Sequence, residues 1–269
     1  TGIWRTVWLK QVPPVRIEDV RWSAEARTTT VAVAVQLPVA AVGHRLRIRL
    51  RRGTRVLADD DVLVTRPEVA RSYALGDGGF DDRQALLWEP ARPVLLDAEL
   101  ALLDPRGDVV DEVASYTAVR DVRVEDGRFL LNGRPQPLRL VLDQGYWPGT
   151  GATPPDGAAL RRDVELALAL GFTGARKHQK TEDPRYLAWA DRLGLLVWAE
   201  MPSPQRAGDA AARNLLREWP EVVVAHRGHP GVVAWVPLNE SWGVTGAETD
   251  PRQAALVRAL AAAADALDG

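Results

Sequence analysis

Between about Val12 and Arg120 apolar and polar residues alternate. The segments VRIEDVRW (15–22), TTTVAVAVQL (28–37), RLRIRLRR (45–52), TRVLADDDVLV (54–64), PVLLDAELALLD (93–104) and DVVDEVASYTAV (108–119) each have this period of two. An extended chain with that period has one apolar face and one polar face, which is the pattern of half-buried strands. Gly, Pro and Asp punctuate the runs, as in LRRGTR and LLDPRGDV. The spacing predicts one antiparallel sandwich of immunoglobulin type. From Val122 the stretch VRVEDGRFLLNGRPQPLRL sets Asp126-Gly127 and Asn132-Gly133 between short apolar runs, and these predict tight hairpin turns in a junction or lid.

Beyond the junction the pattern becomes strand, loop, helix, repeated. LRLVLD (138–143) precedes a helix over 156–171, and FTGARKH (172–178) precedes one over 183–194. LLVWAEM (195–201) precedes a helix over 209–228, and GVVAWVPLNE (231–240) precedes a last helix from about Asp250. Near-continuous apolar strands alternating with helices predict a parallel sheet covered by helices. No Gly-rich phosphate turn follows a strand, so a doubly wound nucleotide-binding sheet has little support. A full (β/α)8 barrel needs roughly 250 residues. The chain after residue 120 is too short for that, and four βα units make the first half of a TIM barrel. The expected organisation is multi-domain: residues 1–11 end an N-terminal sugar-binding sandwich, 12–120 form the immunoglobulin-like sandwich, and 121–269 hold the four βα units.

Composition narrows the function. Of 269 residues 46% are hydrophobic and 26% charged, enough apolar residues for a sizeable core. A formal net charge of -2 with interspersed signs offers no grip on nucleic acid or on an anionic membrane. Without cysteine, neither a disulfide nor a thiolate metal site is available, and the compartment stays open. TGIWRTVWLK lacks an initiator Met, a basic leader and a signal-peptide core, and an Ala/Leu helix closes the sequence. The expectation is of a piece of a longer protein.

In a parallel barrel chemistry sits at the carboxyl ends of the strands. The residues there are Asp143, Gln144, Tyr146 and Trp147 after the first strand, Arg176, Lys177 and His178 after the second, Glu200 after the third, and Asn239, Glu240 and Trp242 after the fourth. Each carboxylate has a bland reading as a helix cap or an ion-pair partner. Trp147 and Trp242 lie in loops, where a flat ring can stack on a sugar, whereas Trp198 and Trp235 lie within strands and are assigned to the core. RKHQK reads either as a solvated loop or as a cationic rim, and only Arg176 and His178 are taken as site residues. His44, His226 and His229 show no pairing at metal-ligand spacing. Glu240 is the leading candidate for chemistry. Held between Trp235 and Trp242, it is expected to be partly desolvated and so to favour its protonated form, as a general acid requires. Asn-Glu also reads as an ordinary helix start.

HPGVVAWVPLNES (229–241) resembles the acid/base segment of glycoside hydrolase family 2, the β-galactosidase, β-glucuronidase and β-mannosidase family, in which His-Pro opens the fourth barrel strand and Asn-Glu closes it. The likeness extends along the chain. TGIWRTVWL resembles the last strand of that family's sugar-binding sandwich, LLWEPARPVLLDAEL the middle of its immunoglobulin-like domain, SYTAVRDVRVEDGRFLLNGRPQPLRL the lead-in to its barrel, and DRLGLLVWAEMP its third strand. The resemblance implies Glu240 as general acid/base, Asn239 as partner of the sugar's 2-hydroxyl, and Arg176 as support for the active-site carboxylates. It also implies a nucleophilic Glu on a seventh strand. This sequence ends after the fourth helix, so the chain alone is not expected to turn over substrate. Leu140 stands where the family has a Gly, Asp143-Gln144 occupy the next polar positions, and Thr173 or Gly174 replaces an Asn. A divergent subsite resting on Asp143, Gln144 and His178 follows, and the sugar is left open.

Three readings compete. The first is a retaining β-glycosidase with a carbohydrate substrate and no cofactor, whose substrate-binding groups are Asn239, Asp143, Gln144, Trp147, Arg176, His178, Glu200 and Trp242. The second is a non-catalytic carbohydrate-binding or scaffolding protein, and the third a metal-assisted hydrolase built on His178, Glu200 and Glu240. Half a barrel leaves open strand edges and uncovered apolar faces, so self-association into a homo-oligomer is expected.

Overall fold

The computed structural model describes residues 3–76 and 79–268. They form two compact units, Val7–Gln136 and Thr1–Thr6 with Pro137–Gly269. The first unit runs β1 (Asp19–Glu25), β2 (Thr30–Gln36), β3 (Arg45–Arg52), β4 (Arg55–Leu63), β5 (Glu68–Ala74), α1 (Phe80–Leu86), β6 (Leu96–Leu103) and β7 (Val109–Thr117). One sheet has the order β1-β2-β5 and the other β4-β3-β6-β7. Val31, Val33 and Val35 from the first sheet share a single core with Leu46, Ile48, Leu50, Leu100 and Leu102 from the second. The arginines of RLRIRLRR take the opposite face. There Arg47 and Arg49 stand across from Asp61 and Asp59, with Arg45 2.7 Å from Asp61 and Arg49 2.8 Å from Asp59. Such exposed pairs add little stability, but a slip of one residue would bury the charges, so they hold the register. The short helix α1 has no counterpart in the sequence reading.

The junction is a meander of β8 (Val122–Glu125), β9 (Arg128–Leu131) and β10 (Arg134–Pro135). Asp126 and Gly127 have φ of 50° and 71°, Asn132 and Gly133 52° and 73°, the paired left-handed residues of a type I′ turn. The Asn132 amide donates to the Trp88 carbonyl at 2.9 Å and its oxygen accepts from the Asp121 N–H at 3.0 Å. The meander therefore belongs to the first unit, and the division falls at Gln136 rather than near residue 120.

The second unit alternates β11 (Leu140–Asp143), α2 (Gly157–Ala169), β12 (Gly174–Lys177), α3 (Pro184–Leu193), β13 (Leu196–Glu200), α4 (Asp209–His226), β14 (Val232–Val236) and α5 (Pro251–Asp268). The four strands are parallel in the order β11-β12-β13-β14. Helix starts follow the local chemistry. Asp156 accepts from the Ala159 N–H at 2.8 Å, and Asp183 accepts from the Arg185 N–H at 2.9 Å with Pro184 in the first turn. Val141, Ala175, Val197, Ala199 and Val232 pack against Leu160 and Val164 of α2 and Tyr186, Leu187 and Ala190 of α3. Trp219 of α4 donates to the Leu260 carbonyl of α5 at 2.9 Å and meets Trp235 edge to face at 5.9 Å. Gly174 is glycine for close approach, since a Cβ there would lie 2.5 Å from the Leu196 carbonyl oxygen. His-Pro-Gly at the start of β14 is held by buried Asp191, whose carboxylate meets His229 Nδ1 at 2.6 Å and accepts from the Gly231 N–H at 2.8 Å. Among the described residues no helix is long and apolar enough to cross a membrane.

His226, buried at the end of α4, has a pKa pushed down to about 4 by burial, with His229 adding to the shift. The folded state thus binds fewer protons than the unfolded state between about 4 and the ordinary 6.5. Stability is full above that range and falls with pH through it, by about 3 kcal/mol in all. Urea unfolding of the chain at pH 7 and pH 4.5 should show this loss. His226→Gln should remove most of it, and an unchanged slope in that variant would exclude His226 as the source.

Candidate active site

Alternation along the parallel strands sends Val141, Ala175 and Val197 to the helices and Leu142, Arg176 and Trp198 to the opposite, partly exposed face. At the carboxyl end of that face Arg176 donates through Nε to Glu200 Oε2 at 2.6 Å and through a terminal nitrogen to Asn239 Oδ1 at 2.7 Å. The other Glu200 oxygen accepts from the Gln179 N–H at 3.0 Å, and His178 Nε2 lies 4.0 Å from it. Gln144 Nε2 meets His178 Nδ1 at 3.0 Å. A donating amide makes Nδ1 the acceptor and leaves the imidazole proton on Nε2, facing Glu200. Glu200 is fully buried, so its charge is offset by the guanidinium and one amide and it does not touch solvent.

β14 stops at Val236, four residues short of Glu240, so the Asn-Glu pair does not close the strand as the pattern suggested. It sits in a turn. Glu240 and Ser241 both have left-handed backbones, φ 48° and 61°, and Gln179 has φ 52°. Three of the six non-glycine residues with positive φ among the described residues therefore lie at this edge. Each such residue costs roughly 1–3 kcal/mol, and strain of this kind persists only where neighbouring contacts hold it. Those contacts are visible. The Asn239 N–H donates to Ser203 Oγ at 2.7 Å, the Trp242 N–H donates to the Asn239 carbonyl at 2.9 Å, and Gly243 (φ 77°) lies so close to Pro204 that a Cβ would come within 2.4 Å of its ring. The result presents the Glu240 carboxyl outward. It is exposed and makes no hydrogen bond or ion pair among the described residues. The desolvation expected from flanking tryptophans is absent, because Trp235 faces the helices and donates to Asp268 at 2.9 Å, while Trp242 is 45% exposed.

An exposed carboxylic acid next to a guanidinium-bound carboxamide, with a partly exposed indole two residues on, can donate a proton and bind hydroxyls. No protein-family profile matches the chain. Beta-galactosidase 2 of Enterobacter cloacae is 31% identical over 269 residues, covering 90% of this chain and 25% of that protein, and the Beta-galactosidase of Thermoanaerobacter pseudethanolicus is 27% identical over 251 residues, 89% and 33%. Among solved structures, Bifidobacterium dentium beta-glucuronidase superposes with a TM-score of 0.80 at 20% identity over 94% of this chain and 42% of that one. The chain is a homologue of curated proteins named β-galactosidase and β-glucuronidase. It spans a quarter to a third of the length of these curated relatives.

Not every residue singled out for this β-galactosidase homologue reaches the site. Asp143 is engaged by the buried Lys177 ammonium and by the Gly145 N–H at 2.7 Å, which leaves it a structural counter-ion rather than a sugar ligand. Trp147 is half-buried against the helix-side core, and one ring face is taken by the Lys180 ammonium 4.7 Å from its centroid, so it is not an open platform. Trp198 lies on the Arg176 face rather than in the helix-side core, and its buried indole N–H has no hydrogen-bond partner among the described residues. Glu200 holds Arg176 rather than ligand. Among the described residues no group of three or more His, Asp or Glu side chains could hold a metal ion, which removes the triad of His178, Glu200 and Glu240 on which the metal reading stood.

The lysines of RKHQK are the clearest departure. Neither is solvated. Lys177 Nζ lies 2.7 Å from Glu182 Oε2 and 4.3 Å from the Tyr186 ring, and Lys180 Nζ donates to the Gly145 carbonyl at 2.7 Å, to the Ala152 carbonyl at 3.0 Å and stands 3.3 Å from Glu182. The 2.7 Å contact is an ion pair without hydrogen-bond alignment at Glu182 Oε2. Burial pushes the Lys180 ammonium below its ordinary value against the pull of Glu182, and burial raises the Tyr186 phenol well above its own. This cluster ties the loop after β11 to the loop after β12 and so sets Gln144 against His178. A groove of about 960 Å³ borders Gln144, His178 and Gln179 and reaches Tyr146 and His226, and Glu240 is not part of its wall. Gln179, Glu182 and Ser203 went unnoticed in the sequence, where no spacing marks them.

Proposed function

We propose that the chain carries the proton-donor half of a retaining β-glycosidase. In this reading the four parallel strands are the first half of a (β/α)8 barrel, and the activity belongs to the protein that contains the chain. Glu240 donates a proton to the glycosidic oxygen and later, as carboxylate, activates the incoming water. A second carboxylate about 5–5.5 Å away attacks the anomeric carbon. By the family resemblance it comes from a later strand, beyond residue 269. Asn239, oriented by Arg176, binds the sugar's 2-hydroxyl, Trp242 offers an open ring, and His178 with Gln144 contacts a further hydroxyl. The observation that carries this reading is the outward, unpaired Glu240 on a strained turn beside the Arg176–Asn239 pair. The relatives' names, β-galactosidase and β-glucuronidase, support the reaction class and leave the sugar open.

The protein containing this chain should hydrolyse aryl β-glycosides, and proton NMR during the first minutes should show the β-anomer of the released sugar. Release of the α-anomer would exclude the retaining mechanism. Failure to cleave any aryl β-galactoside, β-glucuronide, β-glucoside or β-mannoside would exclude the activity.

A further inference from the structure

A line of hydrogen bonds crosses the carboxyl ends of three strands. The Gln179 N–H binds buried Glu200 at 3.0 Å, the Gln179 side-chain oxygen accepts from the Ser203 N–H at 3.2 Å, and Ser203 Oγ accepts from the Asn239 N–H at 2.7 Å. Its last link is the residue before Glu240. From this geometry we infer that Ser203 is the positioning residue for Glu240, the latch that holds the turn after β14 in the left-handed form that presents the carboxyl. The inference rests on the reading of Glu240 as proton donor.

Three features single out Ser203. Glu240 itself has no side-chain partner among the described residues, so nothing but the backbone aims it. The turn's backbone is in a conformation that non-glycine residues leave unless held. The loop after β13 touches the turn on both sides of Glu240, through the Ser203 hydroxyl before it and through Pro204 against Gly243 after it. Arg176 fixes the Asn239 side chain and the Trp242 N–H closes the turn on the Asn239 carbonyl, but among the described residues it is the Ser203 hydroxyl that holds the Asn239 backbone from outside the turn, at the point where the chain turns left-handed. Without it the main chain can relax and the carboxyl moves away from the leaving oxygen. Displacement of about 1 Å at a reacting group can cost about 100-fold in rate.

A misplaced proton donor has a signature that a merely loosened fold lacks. Leaving groups of high basicity need the proton, and strongly acidic phenols do not. Ser203→Ala in the active protein should lower kcat/KM for an alkyl β-glycoside by about 100-fold and leave the 2,4-dinitrophenyl β-glycoside within about twofold. Ser203→Thr, which keeps the hydroxyl, should restore the alkyl glycoside. The ratio of the two substrates is taken on the same sample, so partial unfolding cannot mimic it. Equal losses on both substrates, no loss on either, or a Thr variant as selective in its defect as Ala would overturn the inference. Glu240→Gln run in parallel separates the two ideas. If Glu240→Gln is selective against the alkyl glycoside and Ser203→Ala is not, the latch fails and the proton donor stands, whereas a Glu240→Gln variant without that selectivity removes both.

Discussion

Glu240→Gln is expected to lower turnover of glycosides with basic leaving groups by about 10²- to 10⁴-fold, the range that a positioned general acid supplies. The amide keeps the shape and hydrogen-bonding reach of the acid but has no proton to give. The folded state should hardly notice the change, because Glu240 is exposed and forms no side-chain hydrogen bond or ion pair among the described residues. The expected result is therefore a large kinetic loss with an unchanged urea midpoint. Full activity in the variant would end the proton-donor reading, and a fallen midpoint would show that the side chain has a structural role.

Lys177→Met carries the largest expected effect on stability. The ammonium is fully buried beside Asp143 and Glu182 and over the Tyr186 ring. Glu182 is itself buried, with Lys180 3.3 Å away as its remaining counter-charge. Met fills the stem but leaves buried Glu182 and partly exposed Asp143 short of a cation, and breaking a buried pair such as Lys177–Glu182 costs roughly 3–5 kcal/mol. Urea unfolding at neutral pH measures it. The deficit should shrink when Glu182→Gln is added, because the orphaned charge is then gone. A single-variant loss below about 1 kcal/mol would mean that Glu182 reaches water, which is inconsistent with its burial.

The sandwich was legible because solvent lies on one side of each sheet and core on the other, so Leu46, Ile48 and Leu50 announce their face through the arginines between them. The βα units were legible through a change of period, and Asp126-Gly127 and Asn132-Gly133 through the left-handed backbone that their turns demand. Other features depend on residues far away in sequence, and no local pattern encodes them. Lys177 and Lys180 read as surface charges until Asp143 and Glu182 are brought beside them. Trp235 reads as a neighbour of Glu240 until Trp219 and Asp268 draw it to the helices. The end of β14 at Val236, by contrast, has a local cause, since Pro237 follows it and has no N–H with which to continue the ladder. Of the residues singled out at the strand ends, Gln144, Arg176, His178, Glu200 and Asn239 are joined by the hydrogen bonds and close contacts around Arg176 and His178, while Asp143 and Trp147 serve the lysine cluster.

The sequence has only three lysines, Lys10, Lys177 and Lys180. Lys10 is exposed, and the other two are sealed among carboxylates, carbonyls and aromatic rings. Acylating reagents added from outside thus meet one lysine side chain while the second unit stays folded and three once it opens, so the count of modified lysines becomes a chemical gauge of that unit's integrity.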